Sequence, residues 1–354
     1  MFDLPINLND EKNIISGYNF AKNSDVIFSE ILTHKQYSKI LDKTKLSKVF
    51  ENKDLVSYVN RDFTVKENDI IFSTTHFVED LFTELKNIKN IKNIKLITHQ
   101  SDEPITKSLF LKKPECISKW YSTNVDYKND RLISLPLGIS NNPVKNPMKK
   151  DFSNIKINKN PEFKMYINFN VNTNYKERER IYKYFSNKDW VVFDDPNQSL
   201  ESYIYKLNKY KFILSPWGNG YETHRFWEAL YAGSIPITKY HISYGSALNL
   251  PAIFVNDYKE ITHEKLVSYL GQVNTTEINY EKVTMNYWIN EISKGDIEDK
   301  NIIEKITFSE KKVLKIIDNF HKRNSNESRR KKIYFRLRQI KKILLLKNLI
   351  IKII

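Results

Sequence analysis

Residues 211–239 read KFILSPWGNGYETHRFWEALYAGSIPITK, and the rest of the chain can be placed around them. The apolar run 212–214, bounded by turn residues, predicts a buried strand. It breaks at Ser215-Pro216 and enters a loop containing Gly218 and Gly220, which are expected to supply positive φ and close approach of a ligand. YETHRFWEALYAG then predicts a helix, capped by Thr223, with Phe226, Ala229 and Leu230 on one face and Gly233 ending it. SIPIT, 234–238, predicts a second strand. Strand, glycine loop, helix and strand make a parallel βαβ unit. Its loop and helix N-terminus fall at the carboxyl edge of the sheet, where open α/β sheets bind ligands and where a helix favours anions such as phosphate. Arg225 and Glu228 lie three apart and are neighbours on one helix face near that end. A guanidinium there suits a diphosphate, and the carboxylate suits ribose hydroxyls. On spacing alone, a surface ion pair on an ordinary helix explains them equally well.

The segment SPWGNGYETHRFWEALYAGSIPI resembles the nucleotide-sugar-binding segment of exostosin-like glycosyltransferases, whose pattern runs Ser-Pro-x-Gly, Arg, Glu-Ala and Gly-x-Ile-Pro. Ser215, Pro216, Gly218, Arg225, Glu228, Ala229, Gly233, Ile235 and Pro236 carry the match. Spread over about 30 residues, it is far more specific than an isolated glycine motif. The resemblance implies a GT-B fold, two Rossmann-like domains facing across a cleft, with the donor nucleotide held mainly by the C-terminal one. ISKWYSTNVDYKNDRLISLPLGISN is similar to the end of the N-terminal domain in the same enzymes, where a helix, an Asn and a final strand lead to a Pro-x-Gly turn. The expected domains are 1–145 on the acceptor side, 160–320 for the nucleotide sugar, and a tail, 321–354.

The order of elements agrees with an α/β chain. Strands are predicted at 25–32, 57–59, 69–73, 94–98 and 131–136, with helices at 36–48, from Thr75 onward, and at 114–120. Residues 141–162, rich in Asn, Pro and Lys, predict the linker. Beyond it come strands at 163–169, 190–193 and 252–255, and helices after Asn174 and at 200–208, 263–270, 277–292 and 305–319. The KERER run, 176–180, reads as a solvated face.

With 354 residues the chain suits two medium domains, and 40% hydrophobic and 13% aromatic content argues against disorder. The single cysteine, Cys116, excludes an intrachain disulfide and a Cys-rich metal site, and reads as a buried thiol in a reducing compartment. The opening MFDLPINLNDEKN has no secretory pattern, and no apolar run of about 18 residues is present. The net charge of +15 invites a nucleic-acid reading, but 12 cations and one acid fall within 322–354, leaving the remainder modestly charged. In that tail Ile333, Leu337, Ile340, Ile343 and Leu344 recur at helical spacing among Lys and Arg. A basic amphipathic helix is expected, lying on an anionic membrane surface, against the alternatives of a helix packed across the domains or a polybasic tail. The expected setting is cytoplasmic, peripheral on the inner face of a membrane, with no nucleic-acid partner.

Inverting glycosyl transfer, as the resemblance implies, needs a base for the acceptor hydroxyl and positive charge for the departing diphosphate. Ser215, Gly218, Asn219, Gly220, Thr223, Arg225, Glu228 and Asn168 are the expected donor-binding residues, with Arg225 also catalytic. No cofactor or metal is expected: no Asp-x-Asp motif follows a strand in a suitable place, and Asp194-Asp195 reads as a turn. The base is expected from loops 73–80 or 98–103, with Asp102 preferred and His76 next. His76 and His99 are otherwise ligands to donor or acceptor, or buried histidines. Trp217 and Tyr221 offer stacking on base or sugar, or packing. The implied reaction moves a sugar from a UDP-linked donor to a glycan, lipid-linked glycan or surface polysaccharide. A non-catalytic α/β binding protein with its tail on membrane or nucleic acid competes with this, as does an epimerase or phosphorylase on the same fold.

Overall fold

The computed structural model describes residues 10–141, 152, 155–275, 277–298 and 300–326. Its strands, in chain order, are β1 (Val26–Ile27), β2 (Ser29–Thr33), β3 (Leu46–Glu51), β4 (Leu55–Asn60), β5 (Asp62–Val65), β6 (Ile70–Thr74), β7 (Ile94–His99), β8 (Ile117–Ser122) and β9 (Leu132–Ser134) in the first half. The second half contributes β10 (Glu162–Ile167), β11 (Val191–Phe193), β12 (Tyr210–Leu214), β13 (Ile235–Lys239), β14 (Ile253–Val255) and β15 (Glu304–Thr307).

Two five-stranded sheets form, one ordered β1-β6-β7-β8-β9 and the other β11-β10-β12-β13-β14. Every pairing within them is parallel. Parallel strands need crossover helices, which cover both faces and force near-continuous apolar runs; β6 and β7 accordingly are buried at every position. The chain is α/β with two parallel sheets flanked by helices, consistent with two Rossmann-like domains of a GT-B fold.

The two halves share apolar packing. One cluster joins Phe20, Ile97 and Leu135 of the first half to Ile213, Trp227 and Trp288 of the second. A second cluster, including Met165, Phe212, Ile237 and Leu266, fills the other face of the C-terminal sheet. The chain also returns to its first half near the end: β15 pairs antiparallel with β5, Ile306 opposite Phe63.

Several local expectations give way. Residues 36–48 do not form one helix; only His34–Ser38 is helical, and β3 begins at Leu46. There the chain builds an antiparallel sheet ordered β2-β4-β3, with Asn52 Oδ1 accepting from the N–H groups of Asp54 and Leu55 in the β3–β4 turn. The expected helix at 114–120 is strand β8 from Ile117 onward. Trp120, fully buried, donates its indole N–H to Thr98 of β7 at 2.8 Å, and such a site suits an aromatic strand residue. Thr75 lies inside a 3₁₀ turn, Thr75–Phe77, that leads into the helix Val78–Leu85. The expected helix at 305–319 starts at 310, after β15. The KERER run is not uniformly solvated, because Arg178 is only 4% exposed.

By its contacts the chain divides into two compact units, Met1–Thr307 and Phe308–Ile354. In the second, a helix runs from 310 to 326 with Val313, Ile316 and Phe320 buried at helical spacing. The tail positions Ile333 to Leu344 lie outside the described residues. No described helix is long and apolar enough to cross a membrane.

Candidate functional site

The glycine loop leaves β12 at Ser215 and closes on the helix His224–Tyr231, as the βαβ reading expects. Its conformation has a different cause. Neither Gly218 nor Gly220 has positive φ; Gly233 does, at +77°, as the helix ends. Gly220 is required by proximity instead: a Cβ there would sit 2.6 Å from Asn124 Oδ1. That oxygen accepts the Tyr221 N–H at 3.0 Å and the Glu222 N–H at 3.4 Å, while the Asn124 amide donates to Ser101 O at 3.0 Å. Asn124, in the left-handed region at φ 52°, thus ties the first half of the chain to the loop.

From the other side Arg178 holds the loop. It donates Nε to Trp217 O at 2.9 Å, Nη1 to Asn170 O at 2.9 Å and Nη2 to Pro216 O at 3.1 Å. Burial and then the charge of Arg225 bring its pKa down to about 10, so it stays cationic at neutral pH. Arg178 precedes Ile181 by three positions and Phe185 by seven, and all three are buried on their helix, Tyr175–Phe185. That spacing is the signal that it faces inward.

Between these ties lies a cleft of about 870 Å³ at the carboxyl edges of the two sheets. The first half contributes Asp102 and Leu137. Asn168, Gly218, Asn219, Gly220, Thr223, Arg225 and Glu228 line it from the second. Asn219 donates to Asp102 Oδ2 at 3.2 Å, bridging the mouth. Arg225 donates Nη2 to Asn168 Oδ1 at 3.5 Å and lies over the Tyr203 ring at 5.9 Å. Glu228, buried beneath it, accepts the Tyr203 hydroxyl at 2.7 Å, and burial raises its carboxyl to about 7.

Among the lining residues that escaped the sequence reading are Glu222 and His224. Glu222 is 2% exposed; its Oε1 accepts the Leu137 N–H at 2.6 Å and the Trp227 indole N–H, and burial raises it to about 8. His224 Nδ1 lies 2.7 Å from Gly138 O, so it carries the proton and leaves Nε2 as the acceptor. Burial lowers its pKa, which keeps the ring neutral at pH 7. Both sit within the quoted YETHR run, but only the fold reveals that their partners are 137 and 138, far away in sequence.

Four polar atoms in this cleft have no partner among the described residues: Glu222 Oε2, Thr223 Oγ1, Arg225 Nε and Glu228 Oε1. Thr223 occupies the N-cap position, yet its hydroxyl caps nothing. Buried polar atoms are nearly always satisfied, and a group of exceptions in one cleft marks a wall whose partners are a bound ligand or ordered water.

Other expected residues fall elsewhere. Ser215 is fully buried with its hydroxyl 3.5 Å from Ile213 O, and it does not line the cleft. His76 pairs with Glu103 at 3.1 Å and is also absent from the lining. His99 is 2% exposed, with Nδ1 accepting from the Gln100 N–H and Nε2 donating to Pro136 O; burial drives its pKa to about 3. It is a structural histidine. Trp217 and Tyr221 pack rather than stack on the cleft: Lys239 lies 3.9 Å over the Trp217 ring, and His241 stacks on Tyr221 at 3.6 Å. Among the described residues no group of three or more His, Cys, Asp or Glu is arranged to hold a metal ion.

Residues 170–308 match the RXYLT1 C-terminal domain family. That domain belongs to ribitol xylosyltransferase, a glycosyltransferase. The matched segment covers less than half of the chain. It includes the glycine loop, the helix His224–Tyr231 and all the partnerless cleft atoms. No curated protein matches the chain.

Proposed function

We propose that this chain is a GT-B glycosyltransferase that moves a sugar from a nucleotide-sugar donor, UDP-linked, to a glycan or surface-polysaccharide acceptor. The exostosin-like segment at 215–236 falls inside the family match, which supports the same reading. The observation that carries it is the run of four partnerless polar atoms between Glu222 and Glu228. A cation and a helix N-terminus suit the donor diphosphate. The free oxygen of Glu228 suits the ribose hydroxyls.

In this reading the second domain holds the donor and the first presents the acceptor. The acceptor oxygen attacks the anomeric carbon from the face opposite the diphosphate and gives its proton to Asp102. The bond from that carbon to the diphosphate oxygen breaks, and its electron pair leaves on the diphosphate, whose charge Arg225 meets without a metal. His224 Nε2 is a second proton acceptor in the same cleft. The tail, 322–354, rests on an anionic membrane on its cytoplasmic face, beside a lipid-linked acceptor.

Calorimetry or thermal-shift binding of nucleotides and nucleotide sugars, with UDP-xylose in the panel, tests this on the native chain and on Arg225→Ala and Glu228→Ala. A ligand at 100 times its Kd adds about 2.7 kcal/mol to stability. Selective UDP binding lost in both variants is the expected result. Absence of nucleotide binding would overturn the reading.

A further inference from the structure

At the amino edge of the N-terminal sheet lies a second cavity, of about 930 Å³, which the proposed transfer does not use. The starts of β7, β8 and β9 and the segments leading into them form much of its wall. Its lining holds seven lysines and Arg131 against a single carboxylate, Glu115. Two of the lysines have acidic partners, Lys95 with Asp296 and Lys294 with Glu291. Among the described residues Lys86, Lys89, Lys92, Lys119 and Arg131 pair with no carboxylate.

Burial, and next the charge of Lys119, holds Lys95 below its ordinary pKa; burial and then Arg131 do the same to Lys113. Such mutual repulsion works against the compact state unless a counter-charge enters. The cavity's shape narrows the choice of occupant, because a concave wall encloses a chain of charges better than it meets a flat bilayer. Lysines act as point charges on phosphate oxygens, and a guanidinium adds bidentate contact.

We propose that this cavity is an accessory binding site for a soluble, multiply charged phosphate chain, gripped by Lys89, Lys92, Lys119 and Arg131. The site is independent of the glycosyl-transfer reading. The test is calorimetric titration of the full chain with inorganic tripolyphosphate. It is repeated on the doubly reversed variant Lys89→Glu/Lys119→Glu and on Arg225→Ala, since tripolyphosphate can also enter the first cleft. One binding event should survive Arg225→Ala and weaken about a hundredfold in the double variant, the loss of two charge-assisted contacts. UDP binding should be unchanged in the double variant, and its unfolding temperature should not fall, since two mutually repelling charges are removed. Binding that persists after charge reversal, or that vanishes with Arg225→Ala alone, would overturn the site. So would capture by vesicles of anionic phospholipid with no response to the soluble chain.

Discussion

The two parallel sheets present contrasting carboxyl edges. That of the N-terminal sheet is occupied by its own contacts: Thr98 donates to Ser122 at 2.6 Å, and His99 bonds Pro136 and Gln100. Among the described residues only Asp102 and Leu137 line the cleft from that side. The C-terminal edge supplies all four partnerless polar atoms of the cleft. Thr75 Oγ1, Gln100 Nε2 and Thr123 Oγ1, just past β6, β7 and β8, are also partnerless among the described residues, but none of these residues lines the cleft, so the wall prepared for a ligand is the C-terminal one. A preformed, unsatisfied wall gives affinity at little reorganisation cost, so the second half is expected to bind tightly and the first to orient.

Arg225→Ala should break this contrast most severely, lowering kcat/KM for sugar transfer about 10²–10³-fold, as removal of a charge-stabilising group does. Steady-state kinetics with the donor found by the binding screen would check it. Next comes Gly220→Ala. With a Cβ 2.6 Å from Asn124 Oδ1, the loop must move away from its tie, and nucleotide affinity should fall about tenfold, read by calorimetry. An unchanged Kd would show that the clamp does not position the loop.

The carboxyls give pH signatures. Glu228, raised to about 7, becomes a pure acceptor above that value, so nucleotide affinity should rise several-fold as pH passes from 6 to 8. Glu228→Gln should flatten that profile. For stability the sign is opposite. Glu222 is raised from 4.5 to about 8, so the folded chain keeps a proton that the unfolded chain releases, and stability declines as pH rises between those values. Each tenfold change in proton affinity between the two states is worth at most about 1.4 kcal/mol. Thermal unfolding at pH 5 and pH 8 should show Glu222→Gln raising the pH 8 midpoint more than the pH 5 midpoint. His76→Ala should have the smallest effect, within about twofold in kcat/KM, because it lies outside the cleft lining and its ion pair with Glu103 is partly exposed. A large loss would move the N-terminal edge into the chemistry.

The C-terminal sheet was legible in the sequence because β12 and β13 are short apolar runs punctuated by Pro and Gly. Of the antiparallel β2-β4-β3 sheet, β2 and β4 overlap the expected strands at 25–32 and 57–59, but β3 was not legible. In β3 only Val49 is buried, and a strand this wet has no apolar period to read. The site divided along the same line. Arg225, Glu228 and Asn168 line the cleft. Arg178 was hidden by charged neighbours, and Glu222 and His224 by partners in the other half of the chain. Ser215 shows the converse: it fits a motif, yet its hydroxyl points back to the strand that precedes it.

The pairing of β15 with β5 imposes an order on synthesis. A ribosome releases Asp62–Val65 long before Glu304–Thr307, and β5 has no other strand partner among the described residues. During elongation its backbone groups stand as an open edge, the kind that recruits foreign strands. The nascent first half therefore has a period of exposure that ends only when nearly the whole second half has emerged. A chain stopped before residue 304 would carry that edge permanently, and its fate would be decided by chaperone capture or aggregation rather than by the quality of its cleft.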